Sequence, residues 1–228
     1  CPNNFLVAQT CDQARQFGIS YCIAEKDLPP EFIDGETILI TSIQKLFNGL
    51  TRFKIHAHSI DVSSILMDDC HACIEAIRNA FTISLKQPNS SFSALMTLFA
   101  ESLESQGVGT YADIVNKKAD AFLLVPYWDW IDKQSEVAKI LSRDIDDTVR
   151  FTWPIIKDVI QHCQCVISGS AIEISPYLPL LDIFGSYSKA EYRVFMSATI
   201  TDDSFLVKGL GLDAETIRKP LFYKKEHW

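Results

Sequence analysis

The feature that most constrains the fold is a series of short apolar runs, each of which ends in polar residues. Residues 37–41 and 63–67 form continuous β-rich runs, which are typical of strands covered on both faces. A shorter strand is predicted at residues 19–24, and another covered strand at residues 192–196. Strands that alternate with helices at this spacing predict an α/β fold with a doubly wound parallel sheet. Ligands bind such sheets at the carboxyl ends of the strands.

The rest of the chain carries the 3.6-residue period of helices. Helices are predicted over residues 5–17 with Asn4 as the cap, 43–47, from just after His71 to about residue 81, 91–105, 110–118, 130–141 and 148–163. The run of helices predicts that residues 81–163 are a helical insertion between two parts of the α/β domain, residues 1–80 and 164–228. A hairpin is predicted around Gly169 and Ser170, before the last strand.

Composition excludes several classes of protein. The 228 residues are 47% hydrophobic and 22% charged, which is ordinary for a globular protein and excludes collagen-like and wholly disordered chains. No apolar run approaches the roughly 20 residues that span a bilayer, so no membrane partner is expected. The net charge of −8 excludes a generally basic nucleic-acid binder of the histone kind.

The seven cysteines are odd in number and sparse, which indicates reduced thiols in a cytoplasmic protein rather than a disulfide framework. A zinc or iron–sulfur site is disfavoured because the spacing is poor for structural metal. The residues that such a site would use are Cys70, Cys73, His162, Cys163 and Cys165.

Two adjacent carboxylates, Asp68 and Asp69, directly follow the apolar run at residues 63–67. An apolar strand that delivers two acids suits a magnesium–nucleotide site, where the first carboxylate holds Mg²⁺ and the second polarises the water that attacks the γ-phosphate. His71 is suited to relaying the state of the nucleotide to neighbouring elements. The same acids are also favourable at a helix N-terminus that binds nothing, so the pair alone leaves both interpretations open.

Four motifs, in the right order, resemble those of superfamily 2 helicases. Asp68-Asp69-Cys70-His71 resembles their Asp-Glu-x-His box, motif II, and Ser197-Ala198-Thr199 matches motif III. Residues 2–10 resemble motif Ia, and Ile40-Thr41-Ser42 resembles motif Ib. The resemblance implies the first RecA-like motor domain of a DEAD/DEAH-type, ATP-dependent helicase, with ATP and Mg²⁺ as cofactors and single-stranded DNA or RNA as partner.

The resemblance also implies a role for each matching residue. Asp68, Asp69 and His71 would be catalytic, with Asp68 holding Mg²⁺, and Ser197 and Thr199 would couple nucleotide state to movement. The residues expected to contact the nucleic-acid backbone are Asn3, Asn4, Thr41, Ser42 and Lys45, through hydroxyls, helix N–H groups and charge. Two simpler roles stay open, since Thr41 and Ser42 could serve only as a helix cap and Lys45, Arg52 and Lys54 only as solvated surface cations.

Residues 174–181 and 205–211 look like those of the Rad3/XPD/DinG-like branch of the family. That branch carries an inserted arch between motifs II and III, and here a long segment separates Ala72 from Ser197. The insertion could grip nucleic acid or a protein partner. Its aromatic run at residues 127–130 could stack on bases or pack inside a core.

Two departures from the family pattern bear on activity. Asp69 stands where the family has Glu, and a carboxylate misplaced by about 1 Å can cost roughly 10²-fold in rate. No Gly-x-x-x-x-Gly-Lys-[Ser/Thr] phosphate loop occurs in the sequence. We therefore expect a fragment, inactive alone, with the phosphate loop upstream and a second RecA-like domain downstream as its partner. The alternative is a non-hydrolysing nucleic-acid-binding or sensor subunit of a larger complex, such as a defence complex.

Overall fold

The computed structural model describes residues 1–197 and 204–221, which form a mixed α/β fold. Within these residues the helices are α1 (Asn4–Gln16), α2 (Pro30–Ile33), α3 (Ile43–Leu46), α4 (Cys70–Ala80), α5 (Ser90–Gln106), α6 (Val108–Val115), α7 (Tyr127–Asp132), α8 (Gln134–Leu141), α9 (Asp147–Ile156), α10 (Gly185–Ser188), α11 (Ser204–Lys208) and α12 (Ala214–Arg218). The strands are β1 (Tyr21–Ile23), β2 (Ile38–Ile40), β3 (Ser64–Met67), β4 (Ile83–Lys86), β5 (Phe122–Leu124), β6 (Cys163–Ser168), β7 (Ala171–Pro176) and β8 (Tyr192–Phe195). Short 3₁₀ segments lie at His56–His58, Lys157–His162 and Leu181–Ile183.

The strands pair in three separate groups. β1 pairs with β2 and β3 with β8, both in parallel, whereas β4, β7, β6 and β5 form an antiparallel sheet in that order. The parallel pairing agrees with an α/β fold. The described strands do not join into one doubly wound parallel sheet.

The expectation that these strands are covered on both faces is wrong for β3 and β8. In their register Leu66 lies beside Val194, and the two side chains are 63% and 44% exposed. Met67, whose side chain points to the opposite face, is buried. Only one face of this pair therefore packs against the core.

Two strands interrupt the segment predicted to be helical throughout, residues 81–163. In β4, Ile83 and Leu85 are fully buried while Lys86 is exposed, which is the two-residue period of a strand. β5 pairs with β6 at the edge of the same sheet. The helical content was overestimated because these strands are only four and three residues long, too short to show a clear period. The segment boundaries themselves stay a prediction.

The hairpin predicted around Gly169 is confirmed, with Ile167 paired to Ile172 across the turn. A side chain at residue 169 would collide with the backbone of Lys117 and Lys118, so this close approach requires glycine. The turn thereby holds the end of the β6–β7 hairpin against the loop that follows α6.

One continuous hydrophobic core joins the antiparallel sheet to the parallel pair β3–β8. On the side of the pair, Phe47 packs edge-on against Phe184 at 5.1 Å and Tyr187 at 5.3 Å between ring centroids. On the side of the antiparallel sheet, Phe99 stacks on Trp130 at 5.9 Å. Because Ile77 and other buried residues of α4 belong to this core, the core anchors α4 firmly. Among the described residues, no helix combines the length and apolarity needed to cross a membrane.

Candidate functional site

The turn from β3 into α4 presents the two predicted catalytic carboxylates to solvent. Met67 ends the strand as a buried residue, and both Asp68 and Asp69 are exposed. Asp69 adopts the left-handed conformation, with φ 48° and ψ 60°, and its N–H donates to Asp68 Oδ1 at 3.0 Å. Asp69 occupies the N-cap position of α4 without a side-chain capping bond. Its carboxylate is therefore not used to cap the helix.

Three hydrogen bonds join this turn to the end of β8. The N–H of Met196 donates to the carbonyl of Met67 at 2.9 Å, and the N–H of Cys70 donates to the carbonyl of Met196 at 2.8 Å. The third joins His71 Nδ1 and Ser197 Oγ, which lie 3.2 Å apart. Four of the predicted residues, Asp68, Asp69, His71 and Ser197, thus meet at one end of the parallel pair. Thr199 lies outside the described residues.

Cys70 is buried in the first turn of α4, between the two strand ends. Burial raises the pKa of its thiol, an effect that a hydrogen bond with Ser197 partly offsets. Since the nucleophilic and metal-binding form of cysteine is the thiolate, Cys70 serves here as a packing residue beside the carboxylates.

The cysteines provide no support for a metal–thiolate centre. Burial raises the pKa of Cys73 to about 11 and that of Cys163 to about 12, and burial also raises the pKa of Cys165. No group of three or more His, Cys, Asp or Glu residues suited to a metal ion occurs among residues 1–197 and 204–221. These thiols are better described as part of the hydrophobic core.

A Mg²⁺ ion that is bound mainly through a nucleotide needs fewer protein ligands than a metal–thiolate centre does. Mg²⁺ commonly takes one or two carboxylates and fills its other positions with phosphate oxygens and water. The carboxylate of Asp68 meets that demand, because it is exposed and only its Oδ1 is used in the turn, where it accepts the Asp69 N–H. The residues present fit a nucleotide-bound Mg²⁺ and do not form a closed protein cage for the ion.

The predicted nucleic-acid contacts of motif Ia lie at the start of α1. Asn3, and not Asn4, caps this helix, because Asn3 Oδ1 accepts the N–H of Leu6 at 3.0 Å. Asn4 is the first helical residue and is exposed. The cap was assigned to the wrong asparagine because adjacent asparagines suit the position equally well by sequence.

The predicted motif Ib residues follow β2 at the start of α3. Ser42 holds the N-cap position without a side-chain capping bond and is buried, while Thr41 Oγ1 is buried without a hydrogen-bond partner. The ammonium of Lys45 donates to the carbonyl of Ala24. Lys45 is therefore tied to the loop after β1, and its charge is directed there.

A cleft of about 660 Å³ separates the motif Ia and Ib segments from α4 and α9. Asn3, Gln44 and Lys45 line one wall. The opposite wall consists of residues that the sequence interpretation did not single out, Ala72, Glu75, Asn79, Asp147 and Phe151 among them. Gln44 also joins the two motif segments, since its side-chain amide donates to the carbonyl of Pro2 at 2.8 Å. Asn3 and Lys45 are brought together in this cleft, whereas Asn4, Thr41 and Ser42 do not line it.

The aromatic run at residues 127–130 divides between the two roles left open by the sequence. Trp130 is buried, and its Nε1–H donates to the carbonyl of Ile160 at 2.8 Å. Tyr127 and Trp128 are 70% and 61% exposed and pack edge to face, with centroids 5.4 Å apart. Trp130 is thus a core residue, and only Tyr127 and Trp128 are available to a partner.

Comparison with protein-family models found no matching family, and comparison with curated proteins found no significant relative. The functional interpretation therefore depends on the residues and their geometry.

Proposed function

We propose that this chain is part of the first RecA-like motor domain of a superfamily 2 ATP-dependent helicase or translocase that acts on single-stranded DNA or RNA. The observation that supports the proposal best is the contact of His71 with Ser197 at 3.2 Å. His71 belongs to the segment that resembles motif II, and Ser197 is the first residue of the segment that resembles motif III. The contact thus brings the two segments together across 126 positions of sequence. A solvated pair of acids at a helix start would need no such contact.

In this proposal each residue of the turn has a task set by its position. Asp68, exposed at the carboxyl end of β3, would hold the magnesium–phosphate group of ATP through its free oxygen. Asp69, whose carboxylate is exposed and not used in capping, would orient the attacking water. When bound, Mg²⁺ neutralises negative charge on the transferred phosphate.

The coupling would run through α4, which touches both the turn and the cleft. His71 in its first turn contacts Ser197 at the end of β8, and Ala72 and Glu75 line the cleft that also contains Asn3. Further along, the guanidinium of Arg78 lies 4.1 Å from the ring centroid of Phe205 in α11. A displacement at the nucleotide end of α4 would therefore reach the proposed nucleic-acid side through one rigid element.

The proposal is tested by the ATPase activity of the intact protein, including the phosphate loop and second motor domain that we place outside residues 1–228. We expect hydrolysis that requires Mg²⁺ and is stimulated by single-stranded nucleic acid. A protein with an intact phosphate loop that shows no stimulated hydrolysis would rule out the motor function.

A second candidate is the non-hydrolysing nucleic-acid-binding or sensor subunit, and the backbone of Asp69 favours it. At φ 48° an aspartate is better tolerated than most residues, because its short polar side chain suits the left-handed region. Asp69 would then be needed for the left-handed backbone conformation of the turn and not for catalysis. This candidate predicts binding of single-stranded nucleic acid without hydrolysis in the same assay.

A further inference from the structure

A cluster of basic side chains lies on the loop between α3 and β3, here called the basic loop and consisting of residues 52–58. Every second residue of the loop is basic and exposed, namely Arg52, Lys54, His56 and His58. The residues between them face inward at the start of the loop, where Phe53 is buried. No Asp or Glu occurs between Thr37 and Ile60, in a chain whose net charge is −8.

The basic loop is held firmly against the start of α10. Ser59 Oγ accepts the N–H of Gly185 at 3.0 Å, and the hydroxyl of Ser186 donates to the carbonyl of Ile60 at 2.6 Å. A Cβ at residue 185 would lie 2.7 Å from the side chain of Ser59, so glycine is needed for this contact. The Ile60 N–H also donates to the carbonyl of Phe53 at 2.9 Å, which closes the loop on itself. The basic side chains are therefore presented from a fixed backbone.

Two of the basic residues occupy strained backbone positions. Lys54 and His56 have φ values of 60° and 56°, in the left-handed region that glycine adopts at lower cost. Strained positions are commonly retained where the side chain has a use. A turn alone would favour glycine at these two positions, so the side chains of Lys54 and His56 are expected to have a function.

The charge of the basic loop is only partly neutralised by the protein. Arg52 donates from Nε to the carbonyl of Lys26 and lies 3.4 Å from a carboxylate oxygen of Asp27. Within the part of the chain that the structure describes, no carboxylate forms an ion pair with Lys54, His56 or His58. These three side chains are therefore available to an anionic partner.

The basic loop lies at the opposite end of the parallel pair from Asp68 and Ser197. The loop leads into the amino end of β3, where the N–H of Tyr192 donates to the carbonyl of Ser63 at 3.0 Å. Asp68 follows the carboxyl end of β3, and Ser197 follows that of β8. An anion bound at the basic loop would thus occupy a site separate from the candidate nucleotide site.

We propose that the basic loop binds the phosphate backbone of a single-stranded nucleic acid, as a second contact outside motifs Ia and Ib. Phosphate contacts need cations and N–H donors and carry no sequence information. Lys54 supplies a cation, and the imidazoles of His56 and His58 supply N–H donors. A protein partner is a poorer match, because protein interfaces centre on large apolar or aromatic side chains and Phe53 is buried. The proposal does not require ATP hydrolysis.

The test measures the binding of fluorescent single-stranded oligothymidine to residues 1–228 by anisotropy, over about 50 to about 200 mM salt. The variant K54N/H56N/H58Q removes the free basic groups, with Asn at the left-handed positions because it tolerates them. The control, K117N/K139Q/H162Q, also removes three exposed basic residues, here two Lys and one His, and Lys117 also has a positive φ, 62°. Circular dichroism checks that both variants are folded.

We expect the loop variant to bind about tenfold more weakly, with a salt slope reduced by about 0.7 for the lost lysine cation, and the control to bind like the wild type. A gain-of-charge variant, H56K/H58K, should bind more tightly. Equal weakening in both triple variants, no gain in H56K/H58K, or absence of binding by the wild type would overturn the proposal. Displacement of the oligonucleotide by polyglutamate of the same charge would overturn it in favour of an acidic protein partner. Because ATP is absent, these outcomes are independent of the ATPase test.

Discussion

His71 Nδ1 and Ser197 Oγ lie 3.2 Å apart, although 126 positions of sequence separate the two residues. The contact joins the first turn of α4 to the end of β8, beside two exposed carboxylates. A change in the position of Asp68 or Asp69 can therefore be transmitted through this contact to the end of β8, next to the residues that resemble motif III.

The first prediction concerns the strength of this contact. His71→Ala and Ser197→Ala should each destabilise the chain, and the double variant should be less destabilised than the sum of the two, by about 1 kcal/mol. Urea unfolding of the four proteins measures the interaction free energy. Strict additivity would show that the two side chains do not interact in solution.

A second prediction follows from the left-handed backbone of Asp69. Asp69→Asn should leave the free energy of unfolding unchanged within about 0.5 kcal/mol, because Asn also tolerates a positive φ. Asp69→Val should cost about 2 kcal/mol, since a β-branched side chain clashes in that region. If the two variants proved equally stable in urea unfolding, residue 69 would not adopt the conformation described.

The third prediction distinguishes the buried and exposed faces of β4. Leu85→Ala should cost about 2 to 5 kcal/mol because it leaves a cavity under the antiparallel sheet. The neighbouring change Lys86→Ala should lie within about 0.5 kcal/mol of the wild type, as Lys86 is exposed. The reverse order of costs would mean that the strand register is shifted by one residue.

A fourth prediction concerns stability at alkaline pH. Burial raises the pKa of Cys73 from an ordinary value of about 9 to about 11, so the unfolded chain releases this proton first as the pH rises. Below about pH 9 both states keep the proton and Cys73 adds no pH dependence. Between about pH 9 and 11 unfolding becomes progressively more favourable.

Comparison with Cys73→Ala isolates this effect from the other groups that titrate at high pH. The loss of stability above pH 9 should be steeper for the wild type than for the variant. Parallel curves for the two proteins would indicate that Cys73 is more accessible to solvent than the structure describes.

The sequence was most informative where the pattern is local and repeated. The strands at residues 63–67 and 192–196 could be recognised because each is an apolar run with a polar stop. The helix that ends near Phe81 could also be recognised, although it begins at Cys70 and not after His71. The hairpin at Gly169 could also be recognised, because a Gly-Ser turn lies between two β-rich runs. The structure explains the glycine by a close approach of the backbone.

Long-range packing explains most of what the sequence did not reveal. β4 pairs with β7 across a long stretch of chain, with Ile83 opposite Ile174, and no local pattern encodes such a partner. The wall of the cleft formed by Asp147 and Phe151 likewise depends on how α9 docks against α4. The contact of Lys45 could not be predicted for a similar reason, because its acceptor, the carbonyl of Ala24, lies 21 positions away in the sequence.

The most direct test of the central claim is the nucleic-acid-stimulated ATPase rate of the intact protein with Asp68→Asn, beside Asp120→Asn as a matched change at an exposed aspartate. We expect Asp68→Asn to lower the rate by about 10²-fold or more, because it removes the carboxylate assigned to Mg²⁺, and Asp120→Asn to retain the wild-type rate. Equal rates in the wild type and both variants would contradict the assignment of the β3–α4 turn as the nucleotide site.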